Sequence, residues 1–367
     1  MIELLIVGDF IPPAKSEKPF SDELLILLKD KDFSIANLEA PLTHTNNPIL
    51  KNGKNFKVSP ENVKFINEGC FDAVALSNNH IRDFGNEGVI DTLKVCNSNN
   101  INTVGAGINL ENARKPLRVE IKEKRIVFLN YSEHEFNIAS EKNAGANPFD
   151  NISAYYDIQQ VRQDNDFVIV IYHGGIEYQH YPTLEMIKNF KFIIDIGADL
   201  VVAHHSHRYS GVIKYKSKPI IFGLGNFLCH TSGKINNEWL TGLIAKITLS
   251  VNAINYKLVP VKMSEDFRSV GLMKSEEAVN ILNQIDMISA SIQDQSFMIN
   301  YWIEKSNSER KRIIQLLKSN SKIEYRARKY LPMLFRNKLS VYKRNILLNM
   351  LKCESHRYRL IRILENL

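Results

Sequence analysis

Apolar residues fall in two spacings along this chain. Up to about residue 262, short runs rich in Ile, Val and Phe predict strands at Ile2–Val7, Phe33–Leu38, Phe71–Leu76, Asn102–Val104, Leu117–Ile121, Arg125–Asn130, Phe167–Tyr172, Leu200–Ala203, Pro219–Phe222, Thr241–Leu249 and Asn255–Val261. Between them, helical spacing predicts helices at Ser21–Lys29, Pro60–Gly69, Glu87–Asn97, Ser153–Gln163 and Thr183–Ile196, the second opened by a proline. Strands and helices alternating at this length predict a layered α/β domain over residues 1–264. After Glu265 the strand pattern stops. Ser275–Ser289, Ile292–Ser306, Ser308–Ser319 and Lys338–Leu351 carry helical spacing, with Pro332 expected to break the run around Tyr330–Phe335. Residues 265–367 are therefore expected as a helical region.

Charge divides the chain at nearly the same place. The net charge is +7, yet Tyr301–Leu367 alone holds 17 Lys+Arg against 5 Asp+Glu, a net of +12. The remainder carries 30 basic and 35 acidic residues, a net of −5. A hydrophobic fraction of 44% excludes disordered, collagen-like and disulfide-scaffold classes. Cys70, Cys96, Cys229 and Cys353 are scattered with no CxxC pair, which suits reduced thiols. The opening MIELLIVGDF lacks a basic n-region and a long apolar core, so no cleaved signal is expected. No window reaches the roughly 18 uncharged apolar residues of a membrane span. These features predict a cytoplasmic protein whose basic segment, 301–367, either packs on the body or lies on the anionic inner face of a membrane. Nucleic acid is the weaker expectation: Tyr325, Tyr330 and Tyr342 offer stacking surfaces, but no nucleic-acid-binding motif accompanies them.

The chemistry sits where strands end. Ile2–Val7 runs into Gly8-Asp9, and Phe33–Leu38 into Glu39, with Asn37 just before. Phe71–Leu76 runs into Ser77-Asn78-Asn79-His80, Phe167–Tyr172 into His173-Gly174-Gly175, and Leu200–Ala203 into His204-His205-Ser206-His207. Open α/β sheets bind ligands at the carboxyl ends of their strands. Five such ends can bring Asp, Glu, Asn and His to one place. Mixed oxygen and imidazole donors suit Mn, Fe or Zn and fit Ca poorly. They also suit a pair of cations about 3.5–4 Å apart that activates water and clamps a phosphate.

The segments VGDF (7–10), ANLEAPLT (36–43), ALSNNHIRDFG (75–85), YHGGIEY (172–178), GADLVVAHHSH (197–207) and IFGLGNF (221–227) resemble, in order and spacing, those of the CapA-type capsule biosynthesis proteins. That group belongs to the calcineurin-like metallophosphatases. The resemblance spans about residues 1–262 and leaves out the helical region. It implies a four-layer α-β-β-α sandwich with a C-terminal helical appendage and two divalent metal ions, Mn first, Fe or Zn as alternatives. It also implies residue roles. Asp9, Glu39, Asn79, His173, His205 and His207 resemble the metal ligands, with Glu39 bridging. His80 resembles the proton donor to the leaving group, oriented by Asp83. Asn37, Asn78, Glu177, Tyr178, His204 and Asn226 are expected to line the substrate site.

The sequence departs from the pattern in places. Ile11 stands where these enzymes usually carry a histidine, so one metal is expected to have fewer protein ligands. Gly174 replaces a usual tryptophan and is expected to open the pocket. Ala203 replaces a glycine, and the extra His204 competes with His205 for the ligand position. Two functions follow from the resemblance: a phosphoesterase acting on a phosphate-containing substrate such as a lipid-linked glycan, or a non-hydrolytic accessory factor of capsule polymer synthesis or export.

Overall fold

The computed structural model describes residues 1–51, 53–230, 236–251, 253–318 and 349–365. Strand β1 (Ile2–Phe10) divides its side chains between two cores: Ile2, Leu4 and Ile6 enter one apolar cluster, Leu5 and Val7 another. A strand buried on both faces needs cover on both, and this sets the layering.

After β1 come α1 (Asp22–Lys29), β2 (Phe33–Leu38), a 3-10 turn at Pro60–Val63 running into α2 (Lys64–Glu68), β3 (Ala73–Ala75), α3 (Gly85–Ser98), β4 (Asn102–Val104), β5 (Ala106–Gly107), α4 (Leu110–Ala113), β6 (Leu117–Ile121), β7 (Lys124–Ser132) and β8 (Gly145–Ala146). The chain continues through α5 (Asn151–Arg162), β9 (Phe167–His173), α6 (Leu184–Asp195), β10 (Leu200–His204), β11 (Val212–Tyr215), β12 (Lys218–Ile221), β13 (Asn226–Leu228), α7 (Asn237–Leu240), β14 (Thr241–Leu249), β15 (Ile254–Met263) and β16 (Val270–Leu272). Helices α8 (Ser275–Gln293), α9 (Gln295–Lys318) and α10 (Glu354–Glu365) follow.

One sheet has the order β16-β15-β14-β1-β2-β3-β4, with β13 also paired to β1; the other runs β11-β12-β10-β9-β7-β6. Strands β1 to β4 are mutually parallel, as are β7, β9, β10 and β12. The inner faces share one core, where Phe33 stacks on Phe128 at 5.4 Å. Leu24 and Leu28 of α1, Phe65 and Ile66 of α2, and Val89 and Cys96 of α3 pack with Leu5 and Val7 on the outer face of the first sheet. Ile158 and Val161 of α5 and Phe190, Ile193 and Ile194 of α6 cover the second. The four-layer α-β-β-α order expected from the resemblance is the observed one. Side-chain caps start α1, α5 and α6: Ser21, Asp150 and Thr183 accept from backbone N–H groups of the first turn.

The helical region differs from its expected division. Helix α8 runs on to Gln293 and takes in Ile292, and the expected break between Ser306 and Ser308 falls inside α9 (Gln295–Lys318). The Ser306 hydroxyl donates to the Trp302 carbonyl one turn back, at 2.8 Å, and so sits inside the helix instead of capping a new one. Trp302 is buried and its indole N–H donates to the Pro182 carbonyl at 2.9 Å. Tyr301 lies 4.7 Å from Tyr181, ring to ring, and Tyr358 of α10 meets Trp302 edge-on. Tyr325, Tyr330, Pro332 and Tyr342 lie outside the described residues, as does most of Lys338–Leu351. Among the described residues no helix is long and apolar enough to cross a membrane.

Candidate metal centre

The parallel strands of both sheets end at a common edge. From the first sheet come Asp9 on β1, Glu39 after β2, and Asn79 and His80 after β3. The second supplies His173 at the end of β9 and the His204–His207 run leaving β10. Gly8 allows β1 to reach the edge beside β13. A Cβ there would lie 2.1 Å from the Gly225 carbonyl oxygen, which accepts the Asp9 N–H at 2.9 Å.

Two donor sets result, sharing Glu39. In one, His173 Nε2 lies 2.9 Å from Asn79 Oδ1, 3.1 Å from His205 Nδ1 and 3.5 Å from Glu39 Oε1. In the other, His207 Nδ1 lies 3.3 Å from Asp9 Oδ2 and its Nε2 lies 3.8 Å from Glu39 Oε1. The turn after β10 carries both histidines in the left-handed region, His205 at φ +92° and His207 at φ +53°. Such backbone costs on the order of 1–3 kcal/mol per residue and persists where neighbours enforce it. Here the His205 N–H points at Asp9 Oδ2 (3.4 Å), and His207 Nδ1 meets Asn226 Oδ1 at 2.8 Å.

The ionisable groups of the centre are strongly perturbed. Burial, then the neighbouring Asp9 charge, push Glu39 well above the usual carboxylate range. Burial works the same way on Asp9, but hydrogen bonds from His204 and His207 outweigh it and hold Asp9 well below that range. Burial lowers His173 strongly and takes His205 down to about 4. His207 goes the other way: burial opposes its charge, yet Glu39 and Asp9 raise it to about 10. Neither carboxylate oxygen of Glu39 has a hydrogen-bond partner among the described residues, and the side chain is fully buried. A bare carboxylate is costly to bury unless a cation meets it. The donor set fits divalent metal ions.

The histidine ambiguity has a geometric answer. His205 and His207 belong to the converging groups, whereas His204, last in β10 and opposite His173, turns its Nδ1 toward Asp9 Oδ1 at 3.4 Å. His80 Nδ1 is bound to Asp83 Oδ2 at 2.7 Å, and Asp83 also accepts the Phe56 N–H. Glu177 and the half-exposed Tyr178 stand at the opening, Tyr178 with its ring 6.1 Å from His207. Four residues expected to line the substrate site are buried behind the converging donors instead. Asn37 bridges Asp9 Oδ1 (2.8 Å) and His173 Nδ1 (3.2 Å). Asn78 ties the Leu38 carbonyl to the His80 N–H. Asn226 orients His207, and His204 backs Asp9. Nor does Gly174 open the pocket as expected: a Cβ there would meet Tyr172 at 2.8 Å and Glu133 at 3.0 Å.

Several residues escaped the sequence reading. Glu133 and Glu135 follow β7 and stand 3.7 and 4.0 Å from His205 Nε2. Burial pushes Glu135 up to about 7. They obey the same strand-end rule as the others, and extending it to β7 finds them. Lys51, from an irregular loop, ion-pairs with Asp83 and lies 3.3 Å from His80 Nδ1; no local pattern announces it. Trp239 packs on His207 at 4.7 Å, and Arg208 stands over the Tyr178 ring. Cys229, two residues past the IFGLGNF segment, shares a cluster with Glu39 and His207.

The family described as bacterial capsule synthesis protein PGA_cap matches residues 6–231. The chain is similar to the capsule biosynthesis protein CapA of Bacillus anthracis, 30% identical over 210 residues, covering 55% of this chain and 51% of that one. It is 28% identical over 206 residues to the PGA biosynthesis protein CapA of Bacillus subtilis (strain 168), covering 55% and 54%. It is also 25% identical over 266 residues to a probable polyglutamine synthesis accessory protein of Mycobacterium tuberculosis, covering 67% and 70%. The chain thus spans about half the length of the two CapA relatives. Among solved structures it aligns with a 5'-nucleotidase precursor from Thermus thermophilus at 14% identity and a TM-score of 0.47, covering 80% of this chain and 60% of that one. All the strand ends that build the centre lie within the matched span, and the chain belongs to the PGA_cap family of bacterial capsule synthesis proteins.

Proposed function

We propose that the chain is a metal-dependent phosphoesterase serving the assembly of a capsule or polyglutamate-type polymer. The observation that carries this reading is Glu39, fully buried with both oxygens bare, between two groups of donors. Asp9, Glu39 and His207 would hold one divalent ion, and Glu39, Asn79, His173 and His205 a second. Bound there, the pair supplies Lewis-acid activation of a phosphate ester and of water.

The chain's own residues supply the rest. Asn37 braces Asp9 and His173 from behind and leaves His173 Nε2 facing the centre. Asp83 fixes His80 through Nδ1, so Nε2 is the ring atom left to exchange a proton with a leaving oxygen. Burial, then the charge of Lys51, hold His80 below the ordinary imidazole value, against the pull of Asp83. A bound phosphate's negative charge acts in the opposite direction, which ties protonation of His80 to occupancy by substrate. Purified protein supplied with Mn²⁺, Fe²⁺ or Zn²⁺ should cleave an aryl phosphate ester. His80→Ala should lower turnover by about 10²–10⁴-fold with metal content unchanged; a full rate in that variant rejects the role given to His80.

A second reading is a non-hydrolytic accessory factor. It is favoured by Ile11, an apolar side chain buried in the second core cluster where a ligand is expected. Absent turnover across metals and esters, together with stable association with a polymer synthase, would select it. For the basic segment 301–367 we propose contact with an anionic membrane surface. Full-length protein should sediment with anionic but not neutral vesicles at low salt, and failure to do so overturns the contact.

A further inference from the structure

We propose that Cys229 is a ligand of the first metal and supplies, as thiolate, the donor that Ile11 withholds. The proposal rests on the two-metal reading above. The Cys229 Sγ, a Glu39 carboxylate oxygen and a His207 ring nitrogen all lie within 4.8 Å of one another, and all three residues are buried. Neither Glu39 oxygen has a hydrogen-bond partner among the described residues, so the thiol lies beside an unsatisfied buried acceptor.

The backbone explains how the thiol gets there. Strand β13 runs parallel to β1 with Asp9 opposite Asn226 and Phe10 opposite Leu228, and the Ile11 N–H donates to the Leu228 carbonyl at 2.8 Å. The next residue on β13's side is Cys229, directly beside the place of the missing histidine. Its own backbone is fixed twice. The Trp239 indole N–H donates to the Cys229 carbonyl at 3.1 Å, and the Cys229 N–H donates to Met263 Sδ at 3.0 Å. Trp239 then lies across His207, so one side chain positions two ligands of the same ion. On the other side, Asn226 holds His207 Nδ1 and leaves Nε2 for the metal.

Ligation releases the thiol proton to solvent and oxidises nothing. A thiolate softens the first position relative to the second, which has only oxygen and nitrogen donors. The first position should therefore prefer Zn²⁺, Co²⁺ or Fe²⁺ to Mn²⁺.

The test is a Co²⁺ titration of metal-stripped, full-length protein, read by bound equivalents and by sulfur-to-cobalt charge-transfer absorption in the near ultraviolet. Two equivalents with that absorption are expected. Cys229→Ser should lose the absorption and fall to one equivalent, and Cys353→Ser should keep both. Two equivalents without the absorption, or absorption that survives Cys229→Ser, overturns the Cys229 role and leaves the two-metal reading standing. No bound cobalt overturns both. Near-ultraviolet circular dichroism of the stripped variant separates a lost ligand from a lost fold. Should Cys229→Ser fail to fold, presence or absence of the absorption in wild type and Cys353→Ser decides.

Discussion

The two sheets bring opposite chemistry to their shared edge. The first contributes oxygen donors, the carboxyl groups of Asp9 and Glu39 and the neutral amide of Asn79. The second contributes His173, His205 and His207, imidazoles that carry direction. Neither sheet holds a complete donor set: His173 reaches across to Asn79 (2.9 Å) and His207 to Asp9 (3.3 Å), while His173 and His205, 3.1 Å apart, come from the same sheet. A cation bound there would add a tie between two layers that also meet through apolar side chains and through polar contacts such as Asn37 to His173 Nδ1 (3.2 Å) and the Ser77 N–H to Asn130 Oδ1 (2.7 Å).

That contrast can be broken at several points. The largest effect is expected at Glu39, the residue common to both sets. Glu39→Gln should lose both metal equivalents by elemental analysis; one retained equivalent would mean that the two positions are independent. Next is metal removal. If the ions join the sheets, chelation of protein held at about 1,000 Kd of metal should cost about 4 kcal/mol, seen as a lower Tm. An unchanged Tm would show that the sheets stay docked without help.

A smaller effect falls on the first sheet alone. Gly8→Ala forces a methyl against the Gly225 carbonyl and should destabilise by about 1–3 kcal/mol. It should also weaken the first metal position while sparing the second, measured by denaturant unfolding and metal content. The smallest is a control away from the edge. Asp150 caps α5 by accepting from the Ile152 and Ser153 N–H groups. Asp150→Ala should cost about 1 kcal/mol with both metals kept. Burial opposes the Asp150 carboxylate, but the Ser153 hydroxyl and then those backbone bonds hold it below its ordinary value. The capping contribution should thus be complete above about pH 4 and fade as pH falls through the folded value. Asp150→Asn should abolish that dependence.

The sequence announces the long strands because each is a short, largely apolar stretch holding β-branched or aromatic residues, and Phe33–Leu38, Leu117–Ile121 and Thr241–Leu249 have the bounds it suggests. β5, β8, β13 and β16 have two or three residues each, too few for any period to register. Of these β13 matters most, since it exists through pairing with β1 more than two hundred positions away. The same divide runs through the site. The candidate donors follow strands and are legible. Depth is not: Asn37, Asn78 and Asn226 carry polar groups suited to a rim, and only tertiary packing reveals that each is spent behind a candidate donor. Lys51 comes from a loop and Trp239 from the four-residue helix α7, and no local spacing predicts where either is carried.

Trp239 has a use beyond packing. The chain has two tryptophans, and they stand in different regions: Trp239 against His207, and Trp302 in α9 against Pro182. Emission from the first responds to the field at the centre, and emission from the second to docking of the helix. A Trp302→Phe protein would carry a single indole beside the centre, an intrinsic fluorophore whose intensity reads occupancy of that edge in real time, without a dye and without turnover.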